Sequence, residues 1–333
     1  MKLKILTILS LLALFSTNVF SQTLKIATLA PEGSFWMVEM RAGANEIETR
    51  TEGRVKFRFY GGGVQGNDSQ VRRKMRIGQL HGATFTSGSM GEFAADSELY
   101  SLPLTFNDIH EVLYVRQLMD KKLREILEES GQVNFGFAGA GFGYLMSNEA
   151  VSTLSDMNRQ KTWVQDGDQI SYDAFKALGI SPVSMPLTDV LTGLQTELLD
   201  SAAVSPVGAV VLQLHTRLKY ITDLPLSYVY GTLVIDRKPF GHLNNEDQLV
   251  VREVMDGIYK KLDEASITDN IGALEALVKQ GLTMVAPDTT ELPRWREIVA
   301  ESNRKLADNG DLSKSLMEEM LNHLEEYRAS QAR

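Results

Sequence analysis

A cation, a large aromatic side chain and an acidic turn occur together near the middle of the chain. Lys161 to Val164 are predicted to form a short strand, and Gln165 to Asp168 are typical of a turn, because Asp-Gly-Asp supplies the backbone freedom that a turn needs. Side chains alternate between the two faces of a strand, so Lys161 and Trp163 are expected to share one face. The pattern indicates either a ligand-binding surface or a buried strand with a packed indole.

Residues that enzymes use for catalysis or metal binding do not form a recognisable pattern here. The five histidines lack the spacing of metal ligands, and the serines of 86–91 do not form a G-x-S-x-G motif. The run 139–143 resembles a dinucleotide-binding loop, but Tyr144 stands where the third glycine belongs. We therefore predict a protein that is not an enzyme and that has no cofactor and no bound metal.

An acidic set leaves one alternative open. Asp166, Asp168 and Glu32 suit a metal ion or an ammonium group, although two acids in one turn are more often solvated. The glycine-rich run 61–66 before a predicted helix suits an anion, although a tight strand-to-helix turn explains it more simply.

The first 21 residues are typical of a secretory signal peptide. Lys2 and Lys4 precede the apolar run Ile5 to Phe15, and a plausible cleavage site follows near Ser21. The apolar run is short for a membrane span, although a retained anchor is the alternative. We therefore expect the mature protein in the periplasm.

The charge and the cysteine content restrict the partners and the stabilising bonds. Removal of the two leader lysines changes the formal net charge from −9 to −11, and an acidic surface disfavours nucleic acid as a partner. The chain has no cysteine, so it has no disulfide and no thiolate metal site.

The rest of the sequence alternates between strand and helix patterns. The first hundred residues indicate a β-α-β-α-β order, and the alternation restarts after Leu154. Helices are predicted at about 109–130, 246–266, 269–280, 290–307 and 312–328. We predict an α/β fold of two hinged domains with mixed or parallel sheets: residues 22–140 with 229–268 form domain I, and residues 141–228 with 269–333 form domain II.

Four segments together resemble the DctP family of TRAP-transporter substrate-binding proteins. They are LKIATLAPEGSFW at 24–36, the segment 53–86, LPLTF at 102–106 and the segment 178–206. The similarity runs in the family's order through nearly the whole mature chain. It implies a clamshell of two α/β domains with a long helix bridging both. Such a receptor closes on one small molecule, usually an organic acid, and delivers it to a membrane permease driven by an ion gradient.

The chain departs from the family at the residue that binds the ligand carboxylate. The family usually has an arginine in a K-x-R strand, whereas this chain has Trp163 there, and Lys161 matches the family's lysine. An indole cannot replace the bidentate, charged guanidinium. The resemblance therefore implies the fold, while the ligand is expected to be an organic acid or a more apolar or aromatic compound. The expected ligand-binding residues are Trp36, Thr86, Ser87, Phe142, Tyr144, Lys161, Trp163, Gln165, Asp166, Ser205, Pro206 and Tyr230.

A second hypothesis uses the same clamshell for signalling. In it the closed receptor presents its ligand to a sensor or helper protein, and a neighbouring sensor-kinase gene would favour this role. An enzyme would instead need a metal or a base–nucleophile pair in the cleft.

Overall fold

The computed structural model describes residues 21–332. The predicted signal peptide, apart from Ser21, lies outside these residues. Within the described range, none of the helices combines the length and the apolar character that a membrane span requires.

The described chain follows the alternating order that the sequence predicts. Its first part contains β1 (Gln22–Ala27), α1 (Phe35–Arg50), β2 (Val55–Tyr60), α2 (Asp68–Arg76), β3 (Gly82–Thr86), α3 (Ile109–Glu129), β4 (Gln132–Asn134), β5 (Ala138–Ser147), α4 (Leu154–Asn158) and β6 (Thr162–Gln165). Its second part contains α5 (Gln169–Ala177), β7 (Val183–Met185), α6 (Val190–Gln195), β8 (Ser201–Val204), α7 (Pro206–Val211), β9 (Tyr220–Thr222), β10 (Ser227–Asp236), α8 (Arg237–Phe240), α9 (Asn245–Lys279), β11 (Thr283–Val285), α10 (Leu292–Asn309) and α11 (Lys314–Gln331).

Polar side chains begin several of these helices. The Ser34 hydroxyl accepts a hydrogen bond from the Met37 backbone N–H and so caps the start of α1. Asn67 begins α2 in a capping box with Gln70, in which each side chain accepts from the other's backbone N–H. These caps fix where the helices start after the strands of the sheet.

The strands form one mixed sheet, in the order β2-β1-β3-β10-β5-β8-β6-β7. Strand β1 is parallel to β2 and β3, and β6 is parallel to β7 and β8. Between these two parallel groups, β10 and β5 are antiparallel to each other and to their outer neighbours. The predicted α/β fold with mixed sheets is confirmed, while the exact domain boundaries stay a prediction.

Strand β5 joins the two parallel groups. Its residues 138–143 pair with β10, and its residues 144–147 pair with β8. The glycine run that resembles a nucleotide loop therefore lies inside a strand. A Cβ atom at Gly139 would lie 2.4 Å from the Tyr228 hydroxyl, and one at Gly141 would lie 2.4 Å from the Asn270 side chain. These glycines allow close packing against β10 and α9 rather than phosphate binding.

The long helix α9 corrects the prediction of two helices at 246–266 and 269–280. It runs without a break for 35 residues, or about 50 Å at 1.5 Å per residue. Gly43 of α1 packs against Ile258, and Val207 at the start of α7 donates its N–H to Asn270. Weak helix formers near Ser266 suggest an end, but packing on elements of both parallel groups keeps the segment helical.

Buried ion pairs hold α9 in place. The Arg54 guanidinium, which follows α1, lies 2.9 Å from Asp247 near the first turn of the helix. Arg116 on α3 is almost fully buried, donates to Asp263 at 2.7 Å and also donates to the Phe137 carbonyl. Arg116 also pairs with Asp120 on α3, so these pairs tie α9 to α3 and to the segment that follows α1.

We predict that truncation of Leu262 lowers the stability of the protein. Leu262 on α9 is 1% exposed and packs in the core with Leu24 and Met255. Leu262→Ala should lower the free energy of unfolding, measured in urea, by about 2–5 kcal/mol because it leaves a cavity. Leu249→Ala is the matched control, because Leu249 lies on the same helix and is 67% exposed. A loss of less than ~0.5 kcal/mol for Leu262→Ala contradicts this prediction.

A buried carboxyl predicts a decrease in stability as the pH rises. Glu98 lies in the short 3-10 segment 95–101 and accepts a hydrogen bond from the Gly91 N–H at 2.7 Å. Burial, with the nearby charge of Asp168, raises the pKa of Glu98 from 4.5 to about 8. Between these two values the folded protein binds more protons than the unfolded chain, so stability should decrease as the pH rises through this window.

Glu98→Gln removes this titration and keeps an oxygen that accepts from Gly91. Urea unfolding of the wild type and of Glu98→Gln at pH 5, 6.5 and 8 measures the effect. The wild type should lose more stability than the variant over this range, and identical pH slopes would show that Glu98 does not titrate as described.

Candidate functional site

A cavity of about 230 Å³ lies between the two parallel groups of strands. It opens at the carboxyl ends of β1, β3, β6 and β8, where ligands bind in open α/β sheets. Its apolar lining consists of Leu29, Ala30, Trp36, Phe85, Ala140, Trp163, Val164, Phe175, Leu187, Ala203, Val204, Val207, Val211, Leu212 and Val229. Its hydroxyl-bearing lining consists of Thr28, Ser34, Thr84, Thr86, Ser87, Ser101, Ser171, Ser205 and Ser227.

Trp163 lines this cavity from β6. The residue is 4% exposed, and it belongs to a core cluster with Val190 and Leu199. Its indole Nε1–H donates to the Met185 carbonyl of β7 at 2.9 Å. Trp163 therefore fits both interpretations of the sequence, a packed indole and a ligand-binding surface. The same indole packs in the core and forms part of the cavity wall.

Trp36 contributes the second indole, from the first turn of α1. A Cβ atom at Gly231 of β10 would lie 2.6 Å from the Trp36 ring, so the absence of a side chain at Gly231 makes room for the indole. Tyr259 of α9 packs edge-on against the same ring at a centroid distance of 5.9 Å. The two tryptophans thus come from the two parallel groups of strands.

Gln165 connects the two sides of the cavity through hydrogen bonds. Thr86 at the end of β3 donates to Gln165 Oε1 at 3.1 Å, and Gln165 Nε2 donates to Asp68 Oδ2 at 3.0 Å. The same amide nitrogen also donates to the Ser89 hydroxyl. Gln165 stands at the end of β6, whereas its three partners belong to β3, α2 and the turn after β3, so these bonds close the cavity on this side.

Asp168 is the only ionisable residue among the described residues that line the cavity. It caps α5, and its Oδ1 accepts from the Ser171 N–H at 2.9 Å. A Cβ atom at Gly88 would lie 2.9 Å from Asp168 Oδ2, so the carboxylate lies against the Gly88 backbone across the cavity. Burial raises the pKa of the Asp168 carboxyl, and the Ser171 N–H partly offsets this effect.

The described lining contains no lysine, arginine or histidine. Arg72 of α2 lies nearby, but its guanidinium donates to the Ser89 carbonyl and is 3.7 Å from Glu92. Burial also raises the pKa of Asp68, which accepts from Ser89 and Gln165 beside the cavity. The site therefore combines apolar walls, hydroxyl groups and buried carboxyls without a cation in the wall.

The structure brings together half of the residues that the sequence nominated. Those that line the cavity are Trp36, Thr86, Ser87, Trp163, Gln165 and Ser205. Apart from Trp163, which lies within β6, they stand at the ends of strands or at the start of a helix, where ligands bind in open α/β sheets.

The structure does not bring the other six nominated residues to this cavity. Lys161 is exposed, and its ammonium donates to the Glu197 carbonyl at 2.9 Å. It precedes β6, so it lies at the end of the strand opposite the cavity even though it is two residues from Trp163. Asp166 is exposed and lines a small neighbouring crevice with Asp68.

Core packing accounts for the remaining nominated residues. Tyr230 is fully buried, and its hydroxyl donates to the Ser97 carbonyl. Phe142 packs against Tyr228 at a centroid distance of 5.8 Å, and Tyr144 is half-buried on β5. Pro206 is buried at the first position of α7. Neither burial nor the face of a strand follows from residue type, so the sequence overestimated how many aromatics line the pocket.

Some residues of the cavity wall were not predicted from the sequence. Asp168 was named there only as part of an acidic set, and Phe175 and Val211 were not named. Asp168 follows a strand and caps a helix, and this position signals the carboxyl edge of the sheet. Phe175 and Val211 lie on α5 and α7, and no local signal distinguishes a cavity-facing apolar residue from a core residue.

In residues 21–332, no three His, Asp or Glu side chains are arranged to hold a metal ion. The cavity itself has mainly apolar walls with a few polar groups, as small-molecule binding sites commonly do.

Comparisons with known proteins agree with this geometry. A solute-binding protein of Roseobacter denitrificans is 24% identical over 286 residues, which cover 83% of this chain and 86% of the relative. The sugar acid binding protein DctPAm of Advenella mimigardefordensis, solved with galactonate, superposes with a TM-score of 0.83 at 20% identity, over 92% of this chain and 98% of that chain. A TRAP periplasmic solute binding protein of Desulfovibrio salexigens, solved with orotic acid, gives a TM-score of 0.81 at 18% identity, over 93% of this chain and 99% of that chain.

The two solved structures show that the fold is shared. The family assignment comes from the sequence profile of DctP, described as bacterial extracellular solute-binding protein, family 7, which matches residues 26–309. This family consists of binding receptors rather than enzymes. With most of its length matched, the chain belongs to the DctP family of bacterial extracellular solute-binding proteins.

Proposed function

We propose that this protein is the periplasmic receptor of a TRAP-type transporter. It captures a small organic solute between its two halves and delivers the solute to the membrane permease. The observation that carries this proposal is the cavity at the carboxyl ends of β1, β3, β6 and β8, with one tryptophan from each side.

The size of the cavity supports a small solute. About 230 Å³ corresponds to roughly eight water molecules at 30 Å³ each. The relatives solved with galactonate and with orotic acid also hold small organic compounds.

The family and the start of the sequence support the location and the partner. The family is extracellular by description, and residues 1–21 are expected to direct export and then to be removed. The partner is the permease of a TRAP transporter, as the resemblance implies. In this role the protein makes and breaks no covalent bond.

Closure is the physical step that couples binding to transport. A solute stabilises the closed form only to the extent that it contacts both sides better than the open form allows. Trp36 and Trp163 provide such contacts from the two sides, and Gln165 adds hydrogen bonds that exist only when the sides meet. The permease can then distinguish the loaded, closed receptor from the open one.

We expect Gln165→Ala to shift the protein towards the open form. The change removes the hydrogen bonds to Thr86, Asp68 and Ser89 that cross the cavity. Since the chain has no cysteine, Val64→Cys and Lys176→Cys provide unique positions for two spin labels, both on exposed residues. The distance distribution between the labels should broaden to longer distances in the variant.

Gln169→Ala is the matched control for this experiment. Gln169 is exposed, and its side chain bonds only to Asp173 within the same helix. Its distance distribution should equal that of the unsubstituted protein. Equal distributions for Gln165→Ala and the control would show that these bonds do not hold the cavity closed.

We expect Trp163→Phe to weaken solute binding. The smaller ring loses the Nε1–H bond to the Met185 carbonyl and leaves part of the cavity wall unfilled. The dissociation constant for a solute that co-purifies with the wild type, measured by calorimetry, should rise by about tenfold or more. Trp295→Phe is the control, because Trp295 is buried in a separate cluster and bonds to Glu291. Equal affinities in the two variants would place the binding site elsewhere.

The decisive experiment for the function has two parts. Mass spectrometry identifies the solute released from protein that is made in its own host, and uptake of that solute is then measured with and without the receptor gene. Uptake should require the receptor. A released solute whose uptake is unchanged without the receptor would refute the transport role.

A further inference from the structure

We propose that the protein takes up a proton when the two sides of the cavity meet, because closure brings the carboxyls of Asp168 and Glu98 together at one turn. These two groups are called the carboxyl pair below. The inference rests on the proposed function and adds a condition to it. Acidic solution favours the form that holds the solute, and alkaline solution favours the open form.

The carboxyl pair meets at the segment 87–91, which follows β3. Asp168 follows β6, and a Cβ atom at Gly88 would lie 2.9 Å from its Oδ2. Glu98 belongs to the side of β3 and accepts a hydrogen bond from the Gly91 N–H at 2.7 Å. A Cβ atom at Gly91 would lie 2.8 Å from Glu98 Oε2. Two carboxyls, one from each side of the cavity, therefore lie against the backbone of one short segment.

Burial and mutual repulsion disfavour the ionised state of both carboxyls. Burial raises the pKa of Asp168, and the Ser171 N–H offsets only part of this effect. Burial, followed by the charge of Asp168, raises the pKa of Glu98 from 4.5 to about 8. Because Coulomb repulsion acts on both members, the proton belongs to the pair rather than to one residue.

The neighbouring cation does not neutralise the carboxyl pair. The Arg72 guanidinium of α2 donates to the Ser89 carbonyl and lies 3.7 Å from Glu92. Its charge lowers the pKa of Glu98 by less than burial and Asp168 raise it. Arg72 also acts on the carboxyl of Asp68, which accepts from Ser89. One guanidinium is thus shared among several carboxyls.

The other titratable neighbours add negative charge or stay neutral. Asp166 is exposed in the turn before α5, and its charge raises the pKa of Asp68. Tyr230 of β10 faces Glu98, but burial raises the pKa of its phenol, which stays neutral. The Tyr230 hydroxyl donates to the Ser97 carbonyl and not to Glu98. None of these groups removes the reason for protonation of the pair.

Opening separates the carboxyl pair, since its members belong to different sides. The hydrogen bond from Thr86 to Gln165 crosses the cavity between the same two sides. When the sides part, Asp168 returns to water, where an aspartic acid loses its proton at roughly pH 4. Glu98 stays on its own side and loses the repulsion from Asp168. The open form therefore binds fewer protons than the closed form at the same pH.

A proton taken up on closure makes the closed population depend on pH. The pKa of the pair is higher in the closed form than in the open form. Between these two values, each rise of one pH unit disfavours closure by up to about tenfold. The proton also neutralises Asp168, the one ionisable residue of the described cavity wall. An organic acid, the solute class that the family resemblance implies, then meets no like charge there.

Spin-label distances in the solute-free protein test the pH dependence. Labels at Val64→Cys and Lys176→Cys report the closed and open populations at pH 5.5, 7 and 8.5, after unfolding and refolding have removed endogenous solute. The ratio of closed to open protein should fall by at least about threefold from pH 5.5 to pH 8.5. A ratio that does not change with pH overturns the inference.

Charge-removing variants test the assignment to the carboxyl pair. Asp168→Asn keeps an oxygen that accepts from Ser171, and Glu98→Gln keeps one that accepts from Gly91. Each single variant should at least halve the pH dependence, and the double variant should abolish it. Asp173→Asn is the control, because that carboxyl bonds to Gln169 within α5 and should leave the dependence unchanged. The full wild-type dependence in the single variants overturns the assignment.

Solute affinity provides a second readout and separates this inference from the function on which it rests. The dissociation constant of the solute that co-purifies with the wild type is measured by calorimetry at the same pH values. From pH 5.5 to 8.5 the wild type should lose at least about threefold more affinity than the double variant, which corrects for ionisation of the solute itself. Equal losses overturn the inference and leave the receptor role standing. A pH-dependent closed population in a protein that binds and delivers no solute supports the inference and contradicts the proposed function.

Discussion

The pairing of β5 with two different neighbours is the interaction on which the rest of the structure depends. One end of this strand bonds to β10 and the other end bonds to β8, so a single strand holds both parallel groups in register. The carboxyl ends of β1 and β3 therefore face those of β6 and β8 across one cavity. Helix α9 spans the same junction and is held there by Asp247 and Asp263 through buried ion pairs.

The cavity combines two requirements that usually conflict. It must exclude water so that the contacts with a solute contribute to the binding affinity. It must also close reversibly so that the solute can leave. Trp36 and Trp163 supply apolar surface that is buried without polar cost. The polar bonds across the cavity are concentrated at Gln165, which bonds to Thr86 and to Asp68.

Local signals predicted much of the fold and part of the site. The turn at Gly167, which has a φ of 92°, was predicted from its Asp-Gly-Asp sequence, and the caps at Ser34 and Asn67 likewise act within a few residues. Of the ligand-binding residues that were expected, Thr86, Ser87, Gln165 and Ser205 line the cavity. Lys161 does not, because sharing a strand face with Trp163 does not place it at the same end of the strand.

The sequence by itself determined the fold class, the family and the absence of an arginine at position 163, since each depends on the order of residue types. Only the tertiary structure decided that α9 is one helix, that Tyr230 and Phe142 belong to the core, and that Asp168 is the one ionisable residue among the described residues of the cavity wall. The physical reason is that these outcomes depend on contacts between residues far apart in the chain. A residue's type determines which groups it can bind, whereas the pairing of distant strands determines which residues it contacts.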